Sequence, residues 1–329
     1  MIVLARSFLF VLSIFILSCK NIDSKPMVLN GNTMGTYYSI ILPDSYSKET
    51  ITSFSVDIDS LLNRINTIAS TYIDDSELMA LNNYRSKNFK SISEELYFLI
   101  EKSLLFYGIS NGYYDVTVSP LVNLWGFGKN GEIIAIPSSV SIDSIKSFVG
   151  SDKIILNTDK TISKLHPLLE IDLSSIAKGY AVDIISKYLS DLGVNNFLVD
   201  IGGEIYASGL NNNKVWEIGI RNPIDLGLIH SFEVTDRAIA TSGTYINFKS
   251  VDSNLYPHII SPISGMPVPN SIISCTVVTD SCTDADAIAT MIIALGKEKM
   301  LSTLETLEKV EYYIIVHTEK GLEIISNFD

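Results

Sequence analysis

Asp286 and Thr290 stand four residues apart in the run SCTDADAIATMIIALG, residues 281–296. On a helix that spacing stacks them on one face. A carboxylate and a hydroxyl are hard oxygen donors, the kind that Mg²⁺ takes while keeping part of its water. The same stretch also fits plain capping. Thr283 or Asp284 can hold the helix N-terminus, and Thr290 can bond back to its own helix. Its second half, with Ile292, Ile293 and Leu295, is core material.

A second group lies in IDLSSIAKGYAVD, residues 171–183. A strand ending at Asp172, a turn through two serines and a helix from Ile176 would aim backbone N–H groups at an anion. Ser175 offers an oxygen to a metal and Lys178 a positive charge to a phosphate. An ordinary strand–turn–helix with a serine N-cap fits the same residues. Gly202 and Gly203, in VDIGGEIYASG, permit positive φ and close backbone approach, or simply a hairpin turn. They do not form a dinucleotide fingerprint, because a third glycine and a following helix are missing. The aromatic-rich stretch 111–128 can wall a planar ligand or fill a core. His258, in YPHIISPISG, is flanked by turn chemistry and carries the residue type most used as a general base.

In chain order, NTMGTYYSI, TIASTYIDDSELMALN, YYDVTVSPLVNLWGFG, IDLSSIAKGYAVD, FLVDIGGEIYASG, AIATSGTY, PHIISPISG and TDADAIATMIIALG resemble the FAD:protein FMN transferases, the ApbE-type flavin transferases. The likeness runs from about residue 30 to 296. It implies an enzyme that binds FAD and Mg²⁺ and cleaves the FAD pyrophosphate. The FMN half would pass to a Thr hydroxyl on an acceptor subunit of a membrane redox pump, and AMP would leave. The resemblance places Met34 and Tyr72 against the isoalloxazine, and Tyr113, Tyr114 and Asp115 in a flavin-contacting segment. Asp172, Lys178 and Ile260 match further FAD contacts. Ser175, Asp286 and Thr290 match the metal ligands, which makes Asp286 catalytic through the cation. His258, or an acid near the metal, would take the proton of the acceptor hydroxyl.

Two departures stand out. Many members carry two glycines where this chain has Ser174 and Ser175, and a hydroxyl there is compatible with a metal. Many read HIIDPRTG where this chain reads HIISPISG, so Ser261 replaces an acid and Ile263 a base. Two other readings are a Mg²⁺-dependent FAD pyrophosphatase, with water replacing the Thr hydroxyl, and a lipoprotein that binds FAD without chemistry.

The chain has 329 residues, 47% hydrophobic and 19% charged, with a formal charge of −13. Such a balance excludes a disordered chain and a basic nucleic-acid surface. The first 19 residues read as a signal peptide ending in a lipobox, Ile16-Leu17-Ser18-Cys19, with Cys19 the lipidated residue. The expectation is an extracytoplasmic lipoprotein on the periplasmic side of the inner membrane, with residues 20–30 a tether and 31–329 the flavin transferase domain. Cys275 and Cys282 could pair in an oxidising compartment, though nothing requires it.

The elements that must position these residues follow from periodicity. Helices are expected at 48–68, 94–109, 141–149, 176–192 and 298–307, besides the helix of 281–296. Ser91 or Ser93 is the expected N-cap of the second. Strands are expected at 36–42, 171–173, 197–201, 204–208, 215–221, 231–234, 273–278 and 312–317, with a hairpin arm to Ile325. Strands joined by short turns make antiparallel pairing the expectation. The predicted fold is α+β: mixed, largely antiparallel sheets with flanking helices in a single two-lobed domain.

Overall fold

Serine hydroxyls open most of the helices in the computed structural model, which describes residues 26–328 apart from 130, 132–134, 246, 252–253 and 269–270. Ser47, Ser76, Ser93, Ser138 and Ser281 each accept a backbone N–H from the first turn they precede. The first third of the chain holds β1 (Met27–Thr33), β2 (Thr36–Leu42), α1 (Lys48–Ala69), α2 (Glu77–Asn82), β3 (Lys90–Ser91) and α3 (Glu94–Ile109). The middle holds α4 (Ser119–Leu124), α5 (Ser139–Lys146), β4 (Ile154–Leu156), β5 (Thr161–Lys164), α6 (Ala177–Asp191), β6 (Phe197–Ile201) and β7 (Glu204–Ser208). Then come β8 (Trp216–Arg221), β9 (Leu228–Val234), β10 (Arg237–Gly243), β11 (Phe248–Val251), β12 (Asn254–Pro257) and β13 (Ile272–Thr279). The chain closes with α7 (Cys282–Leu295), α8 (Lys297–Leu304), β14 (Glu311–Thr318) and β15 (Gly321–Ser326).

An eight-stranded sheet in the order β1-β2-β6-β7-β10-β13-β14-β15 forms the frame, and every neighbouring pair in it is antiparallel. One face carries α1, α6 and α7 over the main core, which includes Ile40, Ile58, Val182, Ile185, Val199, Val277 and Ile292. On the other face the β8–β9 ribbon lays Trp216, Ile218 and Val234 against Leu198, Ala207, Ile239 and Val278. The small sheet β3-β5-β4, with α2 and α3, shares the main core through Leu78, Leu81, Leu99 and Ile162. A satellite cluster around Trp125 joins α4 and α5 to Ile260. This is the mixed, largely antiparallel α+β fold that the sequence predicts.

Several local expectations need correction. Met27–Thr33 is an edge strand, so residues 27–30 are not tether; their register with β2 pairs Met27 with Leu42 and Thr33 with Thr36. Residues 1–25, including the signal peptide and Cys19, lie outside the described residues. No strand forms at 171–173. There the Asn82 amide does the work of a neighbouring strand, donating to the Ile171 carbonyl at 2.9 Å and accepting its N–H at 2.8 Å. Helix α5 begins and ends earlier than expected, and α8 stops at Leu304. Cys275 and Cys282 are free, buried thiols. No described helix is long and apolar enough to cross a membrane.

Candidate active site

Gly179 brings the second and first groups of chemical residues together. A Cβ at this position would stand 2.1 Å from the Cys282 carbonyl oxygen, so only glycine lets α6 and α7 touch here. Its N–H donates to Asp286 Oδ2 at 3.1 Å. One turn along, Asp183 accepts from Ser281 Oγ and the Cys282 N–H, both at 2.8 Å, and from the Thr283 N–H and hydroxyl at 2.9 and 2.6 Å. Helix α6 thus caps α7, with Ser281 as the local cap. The Asp284 side chain takes no part: it pairs with Lys102 at 2.8 Å. Capping therefore needs neither Asp286 nor Thr290. Thr290 Oγ1 lies 3.0 Å from Ser242 Oγ on β10 instead of bonding back to its helix.

Ser175 is likewise not an N-cap. The start of α6 has no side-chain cap, and its turn closes through Ile176 and Ala177 N–H groups on the Leu173 carbonyl. The Ser175 hydroxyl donates to Tyr114 Oη at 2.9 Å. Burial pushes the Tyr114 phenol far up, so it stays protonated.

One cavity of about 1600 Å³ is lined by Met34, Tyr72, Tyr113, Tyr114, Asp115, Asp172, Ser175, Lys178, His258, Ile260, Asp286 and Thr290. Its volume exceeds the roughly 300–1,000 Å³ of drug-sized sites and suits a dinucleotide. Met34 and Gly35 form the two-residue turn between β1 and β2, both with positive φ, 49° and 73°. A non-glycine residue in that region is uncommon, and such positions concentrate at functional sites. The Gly202-Gly203 pair is both a hairpin turn and a wall: Gly202 lines the cavity, and a Cβ on it would meet Thr36 at 2.7 Å. Tyr72 stands 63% exposed at this wall, while Ile260 is 3% exposed within the Trp125 cluster. Tyr113 packs on the core and carries Lys299 Nζ 5.2 Å from its ring centroid. The Asp115 carboxylate serves the protein: it accepts from the Thr117 N–H and hydroxyl and from the Ser151 N–H and hydroxyl, all within 3.1 Å. Asp172 accepts from the Ser174 N–H at 2.8 Å and fixes the serine turn.

Charge in the cavity gathers at Lys178. Its ammonium lies 3.3 Å from Glu204 Oε1 and 3.6 Å from Asp286 Oδ2. Burial works against that charge, but the two carboxylates outweigh it and hold Lys178 protonated. His258 Nδ1 lies 3.0 Å from the Asn247 carbonyl oxygen. A carbonyl only accepts, so Nδ1 carries the proton and Nε2 keeps a lone pair. Burial lowers the His258 pKa, which keeps the ring neutral at neutral pH.

The donor set fits a hard divalent cation. Ser175, Asp286 and Thr290 supply oxygens to one cavity, and the Gly179 hydrogen bond to Asp286 falls on Oδ2. Among the described residues no three His, Cys, Asp or Glu side chains cluster as a metal site. A cation here would thus depend on hydroxyls, water and ligand phosphates, which is the habit of Mg²⁺ rather than zinc. Sequence reasoning misses Gly179, Asp183, Glu204, Ser242 and Asn247. The i,i+4 pair Gly179 and Asp183 is a usable signal, since both lie on one face of α6. Asn247 contributes only its backbone carbonyl, which no residue type announces.

Comparison with known proteins agrees with the motifs and the fold. The family model described as "ApbE family" matches residues 34–314. A Vibrio cholerae protein named FAD:protein FMN transferase is 36% identical over 298 residues, covering 90% of this chain and 89% of its own. A Haemophilus influenzae protein of the same name is 33% identical, covering 91% and 89%. The solved flavin transferase ApbE from Vibrio cholerae superposes with a TM-score of 0.83 at 35% identity, over 92% of this chain and 97% of that one. The apo form of Pseudomonas stutzeri flavinyl transferase ApbE gives 0.82 at 29% identity, over 92% and 94%. Motifs, fold and cavity converge with these matches, and the chain belongs to the ApbE family.

Proposed function

We propose that this protein is a Mg²⁺-dependent FAD:protein FMN transferase that esterifies a Thr hydroxyl of a partner flavoprotein and releases AMP. The observation that carries the reading is the single cavity that gathers the flavin-type wall of Met34 and Tyr72 with the oxygens of Ser175, Asp286 and Thr290. Tyr72 and Met34 would hold the isoalloxazine, with Tyr113 beside them. Lys178 would face the diphosphate. Ser175, Asp286 and Thr290 would hold Mg²⁺, which supplies charge stabilisation to a pyrophosphate oxygen and the leaving phosphate. His258 Nε2 would accept the acceptor hydroxyl proton as that oxygen attacks the FMN phosphorus. The new P–O bond forms as the bond to the AMP phosphate breaks, and AMP departs with the electron pair. The names of the relatives support the reaction class.

The partner we propose is the flavin-carrying subunit of a membrane redox pump, approached from the extracytoplasmic side. The lipobox-like end of the first 19 residues supports a lipid anchor at Cys19 and a place at the periplasmic face of the inner membrane. The test incubates the protein with FAD, Mg²⁺ and a candidate acceptor, then weighs both proteins. A gain of one FMN on the acceptor with equimolar AMP is expected. AMP with free FMN would assign a pyrophosphatase instead, and bound FAD without AMP a non-catalytic carrier.

A further inference from the structure

Glu204 opens β7 directly after the Gly202-Gly203 turn, lines the cavity and is 3% exposed. Its Oε1 lies 3.3 Å from Lys178 Nζ, while its Oε2 is buried without a hydrogen-bond partner among the described residues. A buried carboxylate with one oxygen unsatisfied is costly, so its presence in a cavity wall points to a task. Lys178 Nζ also lies 3.6 Å from Asp286 Oδ2 and 3.3 Å from the Ser174 carbonyl oxygen. One ammonium is therefore shared by two buried carboxyl groups on different elements, Asp286 on α7 and Glu204 on β7. Burial raises the Glu204 pKa, the ammonium at 3.3 Å opposes that rise, and a divalent cation nearby would favour the ionised form further.

That sharing matters once a divalent cation arrives. A cation on Asp286 would take the charge that Lys178 leans on and would repel the ammonium. With Asp286 alone the lysine, on its flexible stem, would be driven out toward water. A second fixed anion prevents this. We infer that Glu204 is a positioning residue: it keeps the Lys178 ammonium inside the cavity, facing the FAD diphosphate, while Asp286 holds the cation. The inference rests on the functional reading above. The charges agree with it. Two carboxylates, one ammonium and one divalent cation sum to a single positive charge opposite a diphosphate that carries two negative ones. Removing the Glu204 charge raises that sum to two, and before FAD arrives the cation then repels the ammonium with only Asp286 to hold it.

The test is FAD binding by flavin fluorescence with the full chain, for wild type, Glu204→Gln, Lys178→Met and the double variant. With Mg²⁺ each single change is expected to weaken FAD by about tenfold, and the double change also by about tenfold, because Glu204 acts through Lys178. Glu204→Asp, which keeps the charge, should recover most of the affinity. Without Mg²⁺ the Glu204→Gln loss should shrink toward nothing, since Asp286 is then free to hold Lys178. A double variant weakened by about a hundredfold would show independent action and overturn the inference. An equal Glu204→Gln loss with and without Mg²⁺ would overturn it as well. Thermal melts report folding, and Glu204→Met replaces the amide variant if the latter does not fold. A wild type that fails to bind FAD would sink the functional reading, whereas FAD binding with additive losses sinks only the role of Glu204.

Discussion

Tyr72 is held in place by its backbone, which leaves its ring available. Lys129 Nζ donates to the Tyr72 carbonyl at 2.9 Å and pairs with Asp74 at 2.6 Å, and the side chain stays 63% exposed. An exposed ring on a braced loop can stack on a flavin with little ordering cost. Stacking of this kind contributes about 0.5–1.5 kcal/mol beyond burial, so Tyr72→Ala should weaken FAD by roughly tenfold. A fluorescence titration checks it, and equal affinity in both proteins would remove Tyr72 from the site. His258 makes a second residue-scale prediction. A base works when deprotonated, and burial lowers this pKa. The acid limb of kcat should therefore fall below the ordinary histidine value of about 6.5. His258→Asn should lower kcat by about a hundredfold or more and abolish that limb. A limb that survives the substitution would assign the base elsewhere.

At the scale of elements, the site depends on how closely α6 and α7 pack. A methyl at Gly179 would press on the Cys282 carbonyl and on Thr283 Cα, all backbone that cannot swing aside. Gly179→Ala should then cost on the order of 1–3 kcal/mol, read from urea denaturation. It should also weaken Mg²⁺ dependence, because the Gly179 N–H orients Asp286. Unchanged stability would mean that the helices part without consequence. The same packing explains what the sequence makes legible. Helices α1, α3 and α6 announce themselves by apolar spacing, and β6 and β7 by short β-rich runs around a glycine pair. Strand β10 does not, because its sequence is RAIATSG. Toward α7 its only apolar side chains are Ala238 and Ala240, buried in the main core with Ala285 and Ala289. Its one large apolar residue, Ile239, faces the other way, so no run of large apolar residues marks the strand. The end at 171–173 looks like a strand because buried Ile171 and Leu173 alternate with Asp172, but Ile171 is partnered by the Asn82 side chain. The residues of the candidate site are legible by type and motif. Their contacts are not: the motif stretches do not say that Asp183 caps a distant helix or that Glu204 shares Lys178.

For the whole molecule, the cavity sits where the turns of β1–β2 and β6–β7 meet the start of α6 and one face of α7. The chain enters the fold at Met27, at the end of β1 opposite the Met34 turn. An anchor at Cys19 would tether the molecule by that remote end and leave the cavity open to a membrane partner. Cys19→Ala should therefore release the protein from membranes while leaving FMN transfer to a soluble acceptor unchanged. Fractionation of both proteins checks this, and membrane association that survives the substitution would contradict it. The central claim is that the serine turn before α6 and helix α7 together hold a cation that drives pyrophosphate cleavage. It is tested most directly by AMP release against Mg²⁺ concentration for wild type and Asp286→Asn. The substitution removes a full charge at nearly constant shape, and an amide is a weaker partner for a hard cation. Cleavage should fall by orders of magnitude, since cation stabilisation contributes several kcal/mol to the barrier. Circular dichroism should remain native. A folded Asp286→Asn protein with unchanged AMP release and unchanged Mg²⁺ dependence would contradict the account.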